Sequence, residues 1–233
     1  MDIVIPYGGD GESIKYALRS IEKNFDYDNI FIVTDKPCEH LNRKNLVFIN
    51  KGDSHTSNKD ANLFDKVLAA CSAGVSENFM FWSDDQAIIA PHDIQYVYNV
   101  RNPLIMLPTC KWEQRLVRTG FFVKDFLCKE LKFNFDSHVP QMMKRNEFIK
   151  IKGIDYQSGL GFTICTLYFG IAGWEDRELV EQRTVKATFE GGHFDKKETI
   201  GKNWIGWDRA TYDRTGLKRY LEELFPNKSK FEK

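Results

Sequence analysis

Four short apolar runs punctuate the first ninety positions: Ile3-Val4-Ile5, Ile30-Phe31-Ile32-Val33, Leu46-Val47-Phe48-Ile49 and Phe79-Met80-Phe81-Trp82. Each is apolar at consecutive rather than alternate positions, which predicts strands buried on both faces. Between them the pattern changes to the helical period. Ile14, Ala17, Leu18, Ile21 and Phe25 share one face, and Glu12, Lys15, Arg19, Glu22 and Lys23 fall mainly on the other. A second helix is predicted to begin near Asn58, with Ala61, Phe64, Leu68 and Cys71 as its apolar stripe and Leu63, Val67 and Ala70 widening it. Strand and helix in alternation predict an α/β chain whose central sheet is mostly parallel and flanked by helices.

The second half is less regular. Leu104-Ile105-Met106-Leu107, bounded by Pro103 and Pro108, reads as a strand, and Phe121-Phe122-Val123 as another short one. Leu217, Tyr220, Leu221 and Leu224 recur at helical spacing before Pro226 ends the pattern. With 233 residues, 42% of them hydrophobic, one core suffices. The expected organisation is a single domain over 1–233: a binding half at 1–90, a mixed α/β half at 91–215, and a C-terminal helix and tail at 216–233. Aromatic side chains of the second half (Trp112, Phe133, Phe135, Tyr156, Phe162, Tyr168, Phe169) are expected mostly in the core.

Charge and cysteine usage narrow the function classes. Lys plus Arg and Asp plus Glu number 33 each, which excludes a general nucleic-acid binder and leaves room only for a local basic groove. No apolar run nears the roughly 20 residues that cross a bilayer, and the first residues lack a basic and an apolar leader region. A cytoplasmic protein without a membrane span is expected. Cys38, Cys71, Cys110, Cys128 and Cys165 are scattered without paired spacing, so reduced, mostly buried thiols are expected rather than a disulfide framework or a zinc site.

The chemistry concentrates where the predicted strands stop. They run into Pro6-Tyr7-Gly8-Gly9, Thr34-Asp35, Asn50-Lys51-Gly52-Asp53 and Ser83-Asp84-Asp85. In open α/β sheets ligands lie beyond the carboxyl ends of the strands, where loops converge. Taken singly these are ordinary loop residues. The Asp84-Asp85 pair differs, because adjacent carboxylates after an apolar strand repel unless a cation or hydrogen-bond donors compensate them. Oxygen ligands favour Mg²⁺ or Mn²⁺ over zinc; the competing reading is a solvated turn. Tyr7, Asp35, Lys59 and Asn62, at strand ends or the start of the second helix, are the expected nucleoside pocket, with Pro6 beside them.

Several of these segments resemble the Stealth family of capsule-polysaccharide phosphotransferases, whose core is a GT-A-like, Rossmann-like nucleotide-sugar-binding fold. Glu12-Ser13-Ile14-Lys15-Tyr16-Ala17-Leu18-Arg19-Ser20-Ile21-Glu22-Lys23 with Ile30-Phe31-Ile32-Val33-Thr34-Asp35 is similar to that family's second conserved region. Asp2-Ile3-Val4-Ile5-Pro6-Tyr7 is similar to its first, Asn78 to Asp85 to its strand ending in an acidic pair, and His138-Val139-Pro140 to its third, an H-x-P element with a catalytic histidine. The arginine that follows that element in the family has no counterpart in Ile154-Asp155-Tyr156-Gln157-Ser158-Gly159. The resemblance implies a nucleotide-sugar donor, a place for Arg19 in binding it (an ion pair being the alternative), and an ion held by Asp84 and Asp85.

Three further elements carry two readings each. His138 either moves a proton at the acceptor or is a loop histidine before proline. Gly173-Trp174-Glu175-Asp176-Arg177-Glu178-Leu179 is similar to a Trp-x-Glu-Asp motif of GT-A glycosyltransferases, making Asp176 or Glu175 a catalytic carboxylate; otherwise the pair marks a helix N-terminus. Gly191-Gly192-His193-Phe194 with Gly201-Lys202-Asn203-Trp204 is similar to an element of some retaining GT-A enzymes in which His ligates the metal and Lys meets the diphosphate; otherwise it is a hairpin turn. His40, His55 and His92 are expected exposed in polar loops. The resulting expectation is a metal-dependent glycosyltransferase using a nucleotide-sugar donor, UDP-linked, and a glycan or other hydroxyl acceptor. The alternatives are sugar-1-phosphate transfer, glycosylation of a modified DNA base (nucleic acid entering only as acceptor), and a non-catalytic carbohydrate- or nucleotide-binding module.

Overall fold

A computed structural model describes residues 1–9, 12–36, 38–91 and 95–233. Asp10 and Gly11 of the first predicted turn, and His92, lie outside the described residues. In chain order the elements are β1 (Asp2–Pro6), α1 (Ser13–Asn24), β2 (Ile30–Val33), β3 (Val47–Ile49), α2 (Lys59–Ser72), β4 (Asn78–Phe81), β5 (Gln86–Ile88), β6 (Val97–Tyr98) and α3 (Lys111–Leu127). Then follow β7 (Gln141–Lys144), α4 (Arg145–Ile149), α5 (Ile164–Ala172), β8 (Val180–Glu181), α6 (Gln182–Val185), β9 (Lys186–Phe189), β10 (Trp204–Trp207), α7 (Arg209–Arg214) and α8 (Leu217–Leu224).

The main sheet has the order β3-β2-β1-β4-β7, with the first four strands parallel and β7 antiparallel to β4. Alternate residues of each strand feed two separate cores. Ile3, Ile5, Ile30, Ile32, Met80 and Trp82 pack with Ile14, Leu18 and Ile21 of α1. Val4, Phe31, Val33, Phe79 and Phe81 pack with Ala61, Phe64 and Val67 of α2 and with Leu167 of α5. Burial on both faces is the physical reason for the unbroken apolar runs of β1, β2 and β4, whereas β3, at the sheet edge, departs from the expectation with Val47 exposed and Phe48 and Ile49 half-buried. Asn58 caps α2 by accepting from Ala61 N at 3.2 Å, as its position before the stripe predicts. A second sheet, β5-β10-β9, is built on Ala87, Ile205, Ala187 and Phe189, and the predicted C-terminal helix α8 covers it through Leu217 and Leu221.

Two predicted strands are corrected. Phe121-Phe122-Val123 lies within α3, where Val123 is buried and Phe121 exposed, the one-sided burial of a helix. Leu104–Leu107 forms a turn and loop, with Ile105 80% and Leu107 89% exposed. Both ends of that loop are fixed to α3: Glu113 pairs with Arg101 at 3.1 Å and accepts from Thr109 N at 2.7 Å, so local hydrogen bonding overrides the apolar run. Leu107→Asp is therefore expected to change stability by less than about 0.5 kcal/mol in a thermal melt; a buried strand residue would lose several times that. The alternative reading of Gly191 to Trp204 as a hairpin turn does not describe the segment, since β9 and β10 pair in parallel. All five cysteines are free, with Cys38, Cys71 and Cys165 buried and Cys110 and Cys128 exposed. Among the described residues no helix is long and apolar enough to cross a membrane.

Candidate active site

The register of β4 and β7 creates the site. Phe81 stands opposite Gln141 and Met80 opposite Met142, so the chain leaving β4 runs beside the chain entering β7. Continued by three residues, that antiparallel register brings the Ser83-Asp84-Asp85 turn alongside Ser137 and His138. His138 Nε2 lies 3.0 Å from Asp85 Oδ1. The backbone of Asp85 is held in turn, its carbonyl accepting from Trp207 N at 3.2 Å.

Burial by itself would raise the Asp85 carboxyl; the charge and hydrogen bond of His138, and then Lys186, carry it below the ordinary carboxylate value. Lys186, the first residue of β9, is 5% exposed and donates to His138 O at 2.5 Å and Ser137 O at 3.4 Å. Burial pushes its ammonium down to about 8, with Asp85 and Glu190 resisting. His138 has φ 51°, a left-handed backbone uncommon outside glycine. Gln141, fully buried, grips the same turn from below: its Nε2 donates to Phe135 O, Ser137 Oγ and Val97 O at 3.2, 3.0 and 2.6 Å.

His138 and Lys186 line a cleft of about 1340 Å³ together with Ser83, Gln86, Trp112 and Lys202, whereas Asp84 and Asp85 are half-buried in the adjoining turn and are not among its lining residues. The volume exceeds the few hundred to about 1,000 Å³ of a single small-molecule pocket, leaving room for two substrates side by side. Two further acids line it, Asp60 buried and Asp136 half-buried. Burial raises Asp60 to about 6 despite its pairing with Arg115. Burial likewise raises Asp136, although it accepts from Cys165 N and Thr166 N at the start of α5, both at 3.0 Å.

The expected nucleoside residues gather beyond β1, β2 and β3, on the same edge of the sheet. Pro6 and Tyr7 are buried, and Tyr7 O accepts from Lys66 Nζ at 2.9 Å. Lys66 pairs with Asp53 at 2.8 Å. Asn62 is committed to the loop that precedes α2, accepting from Ser54 N and His55 N at 3.0 and 2.9 Å and donating to His55 O. Asp35 lies against Gly52, where an added Cβ would fall 2.2 Å from its Oδ2. Lys59 is exposed on the first turn of α2. None of these residues lines the cleft.

Other expected site residues lie elsewhere. Arg19 is bound to the tail: it pairs with Glu232 through two nitrogens at 2.6 and 2.7 Å and donates to Phe225 O at 2.8 Å. The ion pair that the sequence offered as the alternative to donor binding is thus present. Glu232→Gln is expected to lower stability by about 2 kcal/mol, the scale of a buried charge-assisted bond, without changing nucleotide affinity. The arginine holds the Glu232 carboxyl below its ordinary 4.5, against the opposing effect of burial. The contribution is present above pH 4.5 and is lost as pH falls through the lower folded value, so melts of the two proteins should converge in acid.

Glu175 and Asp176 occupy an exposed turn after the C-terminus of α5, not a helix N-terminus, and neither lines the cleft. Glu175 accepts from Trp174 N at 2.9 Å. His193 pairs with Glu198 at 2.8 Å on the surface, so the expected Asp84, Asp85 and His193 set is not assembled. Among the described residues no group of three His, Cys, Asp or Glu is placed to hold an ion. Lys202 does reach the cleft, donating to Arg183 O. His40 and His55 are half-buried rather than exposed, His55 lying 3.5 Å from Asp65. Phe135, Tyr156, Phe162, Tyr168 and Phe169 are core residues, whereas Trp112 faces the cleft. Sequence reasoning missed Lys66, Gln141, Lys186 and Gly206. The available signals were weak: a lysine opening Lys186-Ala187-Thr188-Phe189, and a glycine within Trp204-Ile205-Gly206-Trp207.

No protein-family model matches the chain, and no curated protein matches it. Among solved structures it is similar to the galactosyltransferase LgtC in complex with donor and acceptor sugar analogs, with TM-score 0.51, 11% identity, and coverage of 98% of this chain and 96% of that chain. The inositol-1-phosphate CTP transferase from T. maritima also aligns, with TM-score 0.47, 11% identity and coverage of 98% and 97%. At such identity the likeness to LgtC speaks for the fold alone. The chain has a GT-A-like α/β fold: a mostly parallel, Rossmann-type central sheet flanked by helices, with its acidic pair at the carboxyl end of β4.

Proposed function

We propose that the cleft is the active site of a transferase that moves a sugar from a nucleotide-sugar donor, UDP-linked, to the hydroxyl of a glycan or other acceptor. One observation carries the reading. His138 and Asp85, the second residue of the acidic pair, are 53 positions apart in the chain and meet at 3.0 Å beyond the carboxyl end of β4, where a GT-A-like sheet exposes its ligand edge.

Asp84 and Asp85 suit Mn²⁺ or Mg²⁺ in one respect: such ions take one or two carboxylates and complete their shell with substrate phosphates instead of needing a protein cage. When bound, the ion would neutralise the donor diphosphate as the bond to the sugar breaks. His138 has the chemistry of the acceptor-side base. With Nε2–H donated to Asp85, Nδ1 keeps the lone pair that can take the hydroxyl proton, and Asp85 stabilises the resulting imidazolium. Lys202, on the cleft wall, is a cation for the same anionic donor.

A second reading, sugar-1-phosphate transfer, is favoured by the identity of the two groups in contact: they are the acidic pair and the H-x-P histidine through which the sequence resembles the Stealth family. Product analysis with a UDP-sugar and a panel of hydroxyl acceptors decides between them. Release of UDP supports glycosyl transfer and UMP supports phosphosugar transfer. Donor binding without either product refutes both.

A further inference from the structure

We infer that Lys186, given its space by Gly206, is a positioning residue that holds the His138 ring against Asp85. The inference rests on the reading of His138 and Asp85 as the reacting pair. Two independent features converge on one point. The first is a desolvated ammonium, a costly group to bury unless its hydrogen bonds are specific. Lys186 spends its donors on the carbonyl of His138 itself, at 2.5 Å, and on that of Ser137, at 3.4 Å. The second is an absent side chain. Gly206, in β10, has ordinary strand conformation and no turn to make. Yet a Cβ there would lie 2.8 Å from Lys186 Cε, 2.9 Å from its Nζ and 3.5 Å from His138 Nδ1.

The pairing of strands explains why these three residues meet. β10 lies between β9 and β5, with Gly206 opposite Gln86, so the residue next to Asp85 in the chain is the direct neighbour of Gly206. Lys186 therefore enters from one side of β10, the acidic turn from the other, and His138 closes over the gap left by the glycine. The left-handed backbone of His138 is held by the ammonium on its carbonyl and by Gln141 on the residues before it. Displacing the carbonyl swings the imidazole away from Asp85, and a shift of about 1 Å at a reacting group can cost 100-fold in rate.

The test compares wild type with Lys186→Met, Lys186→Ala and Gly206→Ala, each first shown to be folded by circular dichroism. Two measurements are made: steady-state kinetics with UDP-sugar, and the ring ¹⁵N shifts of His138 in the absence of substrate. Lys186→Met is expected to lower kcat about 100-fold with the donor KM within about threefold, and to move the His138 ring shifts away from their wild-type values. Lys186→Ala is expected to lose the same activity and to regain part of it with methylammonium or ethylammonium but not tetramethylammonium, since only a small donor fits the vacated site. Gly206→Ala should reproduce the kcat loss with Lys186 intact. Unchanged ring shifts and wild-type kcat in folded Lys186→Met overturn the assignment, as does a loss in Lys186→Ala that no small ammonium repairs. A wild type without turnover refutes the proposed function instead, and the ring shifts then judge the positioning role alone.

Discussion

Asp85→Asn is expected to lower turnover by at least about 1,000-fold while leaving the protein folded. Removing a preorganised charge at a developing ionic centre costs roughly 100- to 1,000-fold, and under the proposed function this carboxylate would serve two such ends: a cation at the donor diphosphate and the imidazolium of His138. The amide keeps the shape and one acceptor oxygen, so the 3.0 Å contact to His138 can persist without its charge. Lys186 would then be a buried cation facing one negative group fewer, and some loss of stability should accompany the loss of rate. Paired replacement of Glu175 and Asp176 by their amides is the contrasting experiment. Both are exposed outside the cleft, and activity should stay within about twofold of wild type.

The second large effect is expected at His138. His138→Asn should reduce kcat about 100- to 10,000-fold, the range for removing a general acid or base, with the donor KM nearly unchanged. Asparagine is the appropriate replacement because it tolerates the left-handed conformation that His138 adopts at φ 51°, so a fall in rate reports chemistry and not a refolded turn. Residues acting as one unit do not contribute additively. The double variant Asp85→Asn, His138→Asn should therefore lose little more than the worse single variant. A loss equal to the product of the two would mean that the groups act separately despite their contact.

Much of the sheet was legible in the sequence because burial on two faces demands uninterrupted apolar runs, and β1, β2 and β4 have them. The starts of α1 and α2 were legible for a related reason: Asn58 precedes a stripe that only a helix can present to one core. The failures are equally physical. Ile105 and Leu107 look like strand residues, but Glu113 ties both ends of their loop to α3. The true edge strand, Gln141-Met142-Met143-Lys144, carries two polar residues and sends Gln141 inward to hold the His138 turn.

For the proposed site, the sequence singled out Asp85 and His138 without showing that they touch. Their contact depends on the antiparallel register of β7 on β4, a long-range pairing that local pattern does not encode. Arg19 and His193 illustrate the opposite case: each has suitable chemistry, but the fold pairs each with a carboxylate away from the Asp85–His138 contact, Glu232 and Glu198. Lys186 and Gly206 gave only weak signals, a lysine in a buried strand and a glycine between two aromatic-flanked positions.

The most direct test of the central claim is a crystal structure of the protein soaked with a UDP-sugar and Mn²⁺. The account predicts the diphosphate in the cleft beyond the carboxyl end of β4, within reach of Asp84 and Asp85 and with the sugar facing His138. A nucleotide bound on any other face, with the Asp85–His138 pair open to solvent and far from it, would contradict the account.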